Sequence, residues 1–465
     1  MTRPSYGDGA PIVAVATALS ESALSIVRTC GPGAIALAAR AFSESDALEA
    51  AAGYTMVHGW ILGPDGERID EVVAAVFRAP YGFTGEDAVE FTGHGGIAAT
   101  RAVERALIAA GFRPALPGEF SFRAFMNGKM DLTRAESIME LVGAKTDEAR
   151  ARAVERLSGA LEREIDDTKA LLVNALSAAE LLLDYSEDDG VGEEDADTLP
   201  DRPAVEDALA RLRALAASYR VERLYRDGAT VAVAGRPNAG KSSLFNRLVK
   251  EERSIVSETP GTTRDWIEAW IAVEGIPVRL VDTAGLRSAT DPVERAGVER
   301  TKALSGAADL TLYVVDGTVG ETAEDREFRA RERSGAFLHI WNKIDAGASA
   351  APEGYFGASA ETGAGIPEIA REMARVLTGG DSAAEGGGGR SSAARTGIAS
   401  ARQKDLVDKA LAATEEALRR ADAGLALDLV APELREAVDF LGEISGEVST
   451  ADILENMFGR FCVGK

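Results

Sequence analysis

Cysteine is nearly missing from this chain. Cys30 and Cys462 are the only two in 465 residues, too few for a disulfide framework and not at metal-ligand spacing. Long apolar runs are missing too. No stretch of about 18 uncharged apolar residues offers a membrane-spanning helix, and the opening residues, Met1-Thr-Arg-Pro-Ser-Tyr-Gly-Asp8, lack the apolar core of a signal peptide. The expectation is a cytoplasmic protein with no membrane contact. Basic charge is in deficit: 51 Lys and Arg face 75 Asp and Glu, a formal net charge of −24. A field of that sign opposes nonspecific adhesion to nucleic acid, which depends on neutralising phosphates. Any RNA contact must then be local, or shared with a partner protein. What is present in ordinary measure, 46% hydrophobic and 27% charged residues, suits globular domains, and the length predicts about three of them.

Residues 1–125 read as an α+β module. Ile12–Ala16, Leu24–Arg28 and Val72–Phe77 have strand character, and residues 33–42 and 96–110 have helical patterning. Gly93-His94-Gly95-Gly96 and Pro117-Gly118-Glu119-Phe120 read as turns. No catalytic triad or metal spacing occurs here, and Cys30 has no chemical role assigned to it. From 126 to 218 the pattern is helical. Val154, Leu157, Leu161, Ile165, Leu172, Leu176, Ala179 and Leu183 recur mostly at steps of three or four and predict one face of a long helix. The acidic segment Ser186–Asp195 reads as a solvated loop.

Residues 219–380 alternate strand and helix signals. The apolar runs Ala229–Ala234, Val278–Val281, Leu310–Val315, Phe337–Trp341 and Gly354–Phe356 predict a doubly wound, mostly parallel sheet, with ligands at the carboxyl ends of its strands. The glycine- and serine-rich 381–400 reads as a flexible linker. In 401–465 helical periodicity returns, through Leu406, Ala410, Ala413 and Ala417, then Leu425, Leu429, Leu434, Val438 and Leu441. So short a tail needs a partner for its apolar faces. The helices before residue 219 supply one if the α/β domain is an insertion in a discontinuous helical domain.

Chemistry concentrates in the inserted domain. Gly235-Arg-Pro-Asn-Ala-Gly240-Lys241-Ser242 follows a β-branched run and opens a helical pattern, the context a P-loop requires. Its backbone N–H groups suit a triphosphate, Lys241 the outer phosphates and Ser242 a Mg²⁺ ion. Asp282-Thr283-Ala284-Gly285 places a carboxylate for a water-mediated Mg²⁺ contact and the Gly285 N–H for a γ-phosphate. In Asn342-Lys343-Ile-Asp345, Asp345 can accept from guanine N1 and N2, which adenine cannot match. Ser359-Ala360 after the next strand offers a backbone N–H to guanine O6. The ligand expected is GTP. Thr263 is the candidate second hydroxyl ligand of Mg²⁺. Leu286 stands where many small GTPases have the glutamine that orients water, so water positioning must come from elsewhere.

With these residues in place the chain resembles the MnmE (TrmE) family, the GTPases of wobble-uridine tRNA modification. Beyond the GTPase motifs the resemblance includes Gly261-Thr-Thr-Arg-Asp265, Phe83-Thr-Gly-Glu-Asp87, Gly93-His-Gly-Gly96, Pro117-Gly-Glu-Phe120, Arg123–Leu132 and the terminal Cys462-Val-Gly-Lys465. It implies an N-terminal tetrahydrofolate-binding and dimerisation domain, a helical domain split by the G domain, and the G domain itself. It implies K⁺-dependent GTP hydrolysis, with Asn238, Ser257, Thr259 and Thr262 as K⁺ ligands. Glu294 would orient the attacking water through a second water, with Lys241 and Thr263 as the other catalytic residues. On its own, Glu294 reads rather as an exposed glutamate at a helix start. The candidate GTP site then comprises Asn238, Ala239, Gly240, Lys241, Ser242, Ser243, Ser257, Thr262, Thr263, Asp282, Thr283, Ala284, Gly285, Asn342, Lys343, Asp345, Ser359 and Ala360.

The same resemblance implies a site for 5-formyl- or methylene-tetrahydrofolate at Arg28, Glu90, Lys129 and Lys465, with Cys462 nearby as a candidate functional thiol. Arg28 alone reads equally as half of a structural ion pair, and Lys129 as a surface lysine. The implied partners are a second copy of the chain, paired through the N-terminal domain and, with GTP, through the G domains; an FAD-dependent enzyme, in a heterotetramer or larger; and tRNA. Two departures stand out: Leu19-Ser-Glu-Ser-Ala-Leu24 replaces a glycine-rich turn, and Glu361 follows Ser359-Ala360 where Lys or Arg is usual. The competing reading is a GTP-dependent RNA or ribosome-assembly switch, which has no need of the N-terminal module or of Cys462–Lys465.

Overall fold

A computed structural model describes residues 6, 9–186, 199–252, 268–282, 308–330, 336–380, 396–447 and 451–464. The chain divides into two compact units, residues 1–135 with 442–465, and residues 136–441.

The first unit is built on strands β1 (Ile12–Val15), β2 (Leu24–Cys30), β3 (Thr55–Leu62), β4 (Arg68–Phe77), β5 (Ala88–His94) and β6 (Arg113–Pro114). They form one sheet in the order β3-β4-β5-β2-β1-β6, antiparallel except where β6 joins β1. Period-two alternation sends Val13, Val27, Val72, Ala74, Val76, Val89 and Phe91 to one face. Helices α1 (Ala34–Ala39) and α3 (Ile97–Ala110) cover that face with Ile35, Ala38, Val103 and Leu107, while α2 (Ser45–Ala50) adds Leu48. Strands β3 and β5 were not among the expected ones. Gly93 and His94 lie in β5 rather than in a turn. Gly93 leaves room for Asp70, whose Oδ2 would stand 2.3 Å from a Cβ there.

The opposite face carries Ile12, Ala14 and Cys30 against Phe120 of α4 (Glu119–Met126). Pro117-Gly118 is the turn into α4, and Glu119 and Phe120 already belong to that helix. The C-terminal α14 (Ala451–Phe458) packs here as well, Phe458 lying edge-on to Phe122 at 5.6 Å. The tail thus divides: residues 401–441 group with the helices preceding residue 219, as expected of the whole tail, but 442–465 group with the N-terminal module.

In the second unit, α5 (Leu132–Gly143), which begins in the first, leads to α6 (Asp147–Leu157) and α7 (Ala160–Ser186). The expected single long helix is broken at Ser158-Gly159, where Gly159 has φ 85°, a left-handed conformation that ends helices. Val154, expected on the buried stripe, is exposed. Next comes α8 (Arg202–Asp227), which runs through the expected domain border at 218/219 and stops at Gly228. Leu161, Ile165 and Leu172 of α7, Val205, Ala208 and Leu212 of α8, and Val407, Ala410 and Ala417 of α12 (Ala401–Asp422, numbered in chain order after α9–α11 below) are buried, and α7 and α12 both pack on α8.

A second sheet follows directly, with β7 (Ala229–Gly235), β8 (Glu268–Val273), β9 (Ile276–Asp282), β10 (Leu310–Asp316), β11 (Phe337–Asn342) and β12 (Tyr355–Gly357). Its order is β12-β11-β10-β7-β9-β8, parallel but for the β8–β9 hairpin. Helices α9 (Lys241–Glu251), α10 (Ala323–Ala330) and α11 (Ile366–Thr378) accompany it, and α13 (Leu427–Ser445) follows α12. The expected linker 381–400 is described only from 396. Its end is packed rather than loose: Ile398 and Ala399 are fully buried, and the Ile398 N–H donates to Ser218 Oγ at 3.2 Å.

Candidate functional site

The nucleotide-site residues sit at the carboxyl ends of β7, β9 and β11, where a doubly wound sheet leaves a crevice. After β7 the chain turns through Gly235 (φ 140°) and Gly240 (φ 92°) into α9. A Cβ at Gly240 would lie 2.2 Å from Asn342 Nδ2, so glycine is needed there both for the backbone angle and for the approach of β11. Lys241 is buried and its Nζ donates to Arg236 O at 2.7 Å, across the mouth of the loop. Ser242 and Ser243 are exposed at the start of α9. The Ser242 hydroxyl donates to Asp282 Oδ2 at 2.7 Å, joining the end of β9 to the P-loop. That oxygen pair, at the N-terminus of an 11-residue helix, has the chemistry a hard divalent cation takes.

Asn342 connects the other two loops. Only 1% exposed, it donates from Nδ2 to Ala239 O at 2.9 Å and accepts at Oδ1 from the Ala360 N–H at 3.1 Å. The Ala360 N–H assigned to a base oxygen is thus engaged with Asn342 in this structure. Lys343 adopts φ 69°, and its Nζ reaches Asn238 O at 2.9 Å and Asp316 Oδ2 at 2.6 Å. Burial works against ionisation of Asp316, but bonds from Lys343 and Thr318 hold its carboxyl below the usual carboxylate range. Asp345, in the short 3-10 turn Ile344–Ala346, is exposed and open to a ligand. Ser359 is fully buried at the foot of the next loop.

The structure therefore brings together Asn238, Ala239, Gly240, Lys241, Ser242, Asp282, Asn342, Lys343 and Ala360. Ser257, Thr259, Thr262, Thr263, Thr283, Ala284, Gly285, Leu286 and Glu294 lie outside the described residues. Two participants were missed. Asp316 ends the apolar run of β10, so its place at a strand's carboxyl end was a usable signal. Arg247, which bonds to the Ala360 and Glu361 carbonyls, carries no signal in sequence.

In the first unit, the cross-strand pair Arg28 and Glu90 lies on the sheet face opposite α1 and α3. Arg28 Nε donates to Glu90 Oε1 at 3.1 Å, and Nη1 donates to Gly464 O at 2.9 Å. The guanidinium also stands over the Phe120 and Phe83 rings, at 5.3 and 5.8 Å. Lys129 Nζ donates to Pro80 O at 3.1 Å, in the loop that also carries Phe83. Cys462 is exposed, and its carbonyl accepts from the Gly118 N–H at 3.3 Å. Lys465 lies outside the described residues. Cys30 is buried, and desolvation pushes its thiol far up against the opposing charge of Arg123, which leaves it inert as a nucleophile. His94, not assigned a role, accepts a companion the sequence did not suggest: its Nδ1 lies 2.7 Å from Asp70 Oδ1, while its backbone N–H donates to Asp70 Oδ2 at 2.9 Å.

Fold and site together define a P-loop GTPase whose nucleotide domain is inserted among helices. Comparison with known proteins narrows the class. Residues 132–462 match the model of the MnmE helical domain, and residues 11–129 match that of the GTP-binding protein TrmE N-terminus. A tRNA modification GTPase MnmE of Treponema denticola is 42% identical over 479 residues, covering 99% of each chain. One from Symbiobacterium thermophilum is 40% identical, covering 98% of this chain and 99% of that one. Among solved structures, Aquifex aeolicus Era bound to GDP and AlF4− is similar over 40% of this chain and 66% of that one, at 24% identity and TM-score 0.27. The chain belongs to the MnmE (TrmE) family of GTPases. Among the described residues, no helix is long and apolar enough to cross a membrane.

Proposed function

We propose that this GTPase acts on tRNA, working with an FAD-dependent partner enzyme to add a carboxymethylaminomethyl or aminomethyl group to C5 of uridine 34. The observation that carries the reading is the likeness, over 99% of both chains, to a relative named for tRNA modification. A GTPase domain alone is common to many functions; the N-terminal module and the C-terminal segment packed with it are not explained by GTP hydrolysis.

In the nucleotide site, Ser242 with Thr263 would hold Mg²⁺, and Asn238, Ser257, Thr259 and Thr262 would hold K⁺. The Asn238 carbonyl is already engaged by Lys343, which leaves its exposed side-chain amide for that role. Bound cations there offset charge that develops on transferred phosphoryl oxygens. Glu294 would orient water in place of the glutamine that Leu286 replaces, and Asp345 would select guanine. In the first unit, Arg28 and Glu90, with the tail held at Gly464, would orient a tetrahydrofolate carrying the one-carbon unit, with Lys129 and Lys465 as further contacts and Cys462 close to the tail. The working assembly in this reading is a cytoplasmic homodimer joined through the N-terminal domain, its G domains pairing with GTP, in a heterotetramer or larger complex with the FAD-dependent partner.

The deciding experiment is nucleoside analysis of tRNA from cells lacking this protein. Loss of the C5 group from wobble uridine is expected, restored by the wild-type gene. Unchanged C5 modification would sink the reading.

A further inference from the structure

We infer that Arg247 is a specificity-positioning residue, which ties the helix behind the P-loop to the loop expected to read the base. The inference rests on the assignment of Ser359-Ala360 to guanine recognition. Arg247 lies on α9, with Lys241 at that helix's first position. Its Nε donates to Ala360 O at 2.9 Å, and an Nη donates to Glu361 O. One planar guanidinium thus holds two successive carbonyls of the loop, a forked geometry that lysine cannot supply. Its other Nη faces Glu251 Oε1 at 3.4 Å, and Glu251 sits against Gly363, where a Cβ would come within 2.3 Å of the carboxylate. Gly363 has φ 88°, so the loop is shaped to let the Arg247–Glu251 pair approach its backbone.

The rest of the loop is internally bonded. The Ser359 N–H donates to Ala364 O at 2.9 Å, the Gly363 N–H to Ser359 O at 2.8 Å and the Thr362 N–H to Ser359 Oγ at 3.0 Å. Asn342 holds it through the Ala360 N–H. In a trans peptide, carbonyl and N–H point in opposite directions. By fixing Ala360 O, Arg247 therefore fixes the Glu361 N–H on the side of the loop away from α9, and by fixing Glu361 O it sets the Thr362 N–H that bonds Ser359. Two peptide planes next to the base-reading residue are oriented by one side chain of the phosphate-binding helix. Position 361 is glutamate where a cation is usual in the family pattern. Arg247 supplies a guanidinium to the same loop from α9.

If this is its role, removing Arg247 weakens recognition of the purine 6-oxygen in particular. The test measures equilibrium binding of GDP, ADP and the diphosphate of 2-aminopurine riboside, which keeps the 2-amino group and lacks the 6-oxygen, to the full-length protein. Arg247→Ala should lose about tenfold in GDP affinity, the size of one well-placed hydrogen bond to a rigid acceptor, and much less for the 2-aminopurine nucleotide. In GTP turnover the loss should fall on KM more than on kcat. Arg247→Lys, which retains charge but not the fork, should lie between wild type and Arg247→Ala, and a thermal melt of each variant checks folding. Equal losses for GDP and the 2-aminopurine nucleotide, or no loss, would overturn the assignment. Wild-type protein that failed to prefer GDP over ADP would instead overturn the guanine reading on which it rests.

Discussion

At the scale of single residues, Asn342 shows how one buried amide organises a site. Both ends of its side chain are used, on Ala239 of the P-loop and on Ala360 of the base loop, and its burial keeps it from water. Asn342→Ala leaves the buried Ala239 carbonyl and the half-buried Ala360 N–H without their partner, at about 1–3 kcal/mol for a fully buried group. Titration calorimetry should show GTP affinity falling by about 10-fold or more; an unchanged affinity would refute the bridge. His94 supports a second residue-scale prediction. Its ring is raised above the ordinary histidine value, first by the hydrogen bond to Asp70 and then by that carboxylate's charge. A raised folded-state value means the pairing contributes stability fully below the unfolded value of about 6.5 and loses it as pH rises through the folded value. In an NMR titration His94 should show a midpoint above about 6.5, and Asp70→Asn should bring it down. A wild-type midpoint at the ordinary value would contradict the pairing.

At the scale of elements, α6 and α8 are joined by buried charge. Arg152 and Arg156 of α6 both reach Glu222 of α8, Arg156 at 2.7 Å, and Arg156 also bonds Glu140 of α5 at 2.7 Å. Arg152 is nearly inaccessible and lies 3.9 Å from the Tyr225 ring centroid. At its N-terminus α6 is capped by Thr146, whose hydroxyl donates to Gly275 O at 2.7 Å in the β8–β9 turn, and Lys145 stands over Trp270 at 4.3 Å. The hairpin that ends in Asp282 is thereby seated on α6. Glu222→Ala removes the carboxylate the two buried guanidinium groups share, leaving Arg152 with Glu148 and Arg156 with Glu140, and should destabilise the unit by at most about 3–5 kcal/mol, seen as a lower urea midpoint for loss of the α-helical signal. Replacing Glu222, Arg152, Arg156 and Glu140 together by apolar residues, so that no buried carboxylate loses its cation, should cost less than Glu222→Ala alone. If the fourfold variant is the worse of the two, the network is not held by charge pairing.

At the scale of the whole molecule, the prediction concerns turnover. GTP hydrolysis by the full chain with Mg²⁺ should run faster in K⁺ than in Na⁺, and equal rates would remove the K⁺ assignment. Glu294→Ala should abolish hydrolysis while GTP affinity stays nearly unchanged, whereas parallel loss of both would point to misfolding. The C-terminal segment also belongs to this scale. Residues 442–465 group with the N-terminal module, where Gly464 accepts Arg28 and passes so near β1 that a Cβ would stand 2.6 Å from Val15 O. The residues that meet at this place are 436 apart in the chain.

The sequence by itself determined the nucleotide site and the kind of sheet beneath it. A P-loop, Asp282, and Asn342 to Asp345 each follow an apolar strand at its carboxyl end, and such chemistry is local: a few residues in fixed order suffice to write it. The strand runs of β7, β9, β10 and β11 were legible for the same reason, being buried on both faces and so nearly continuous. Only the tertiary structure decided the rest. Val154 to Leu183 kept helical spacing across Ser158-Gly159, so periodicity could not reveal that one left-handed glycine splits it. Strand β5 was hidden by Gly93, which reads as a turn residue until Asp70 is seen to need the space. The end of the tail, the support of His94 and the grip of Arg247 on the base loop depend on pairs far apart in sequence. Their hydrogen bonds leave no mark on either partner's local pattern, because they form only when the packed chain brings donor and acceptor within 3 Å or so of one another.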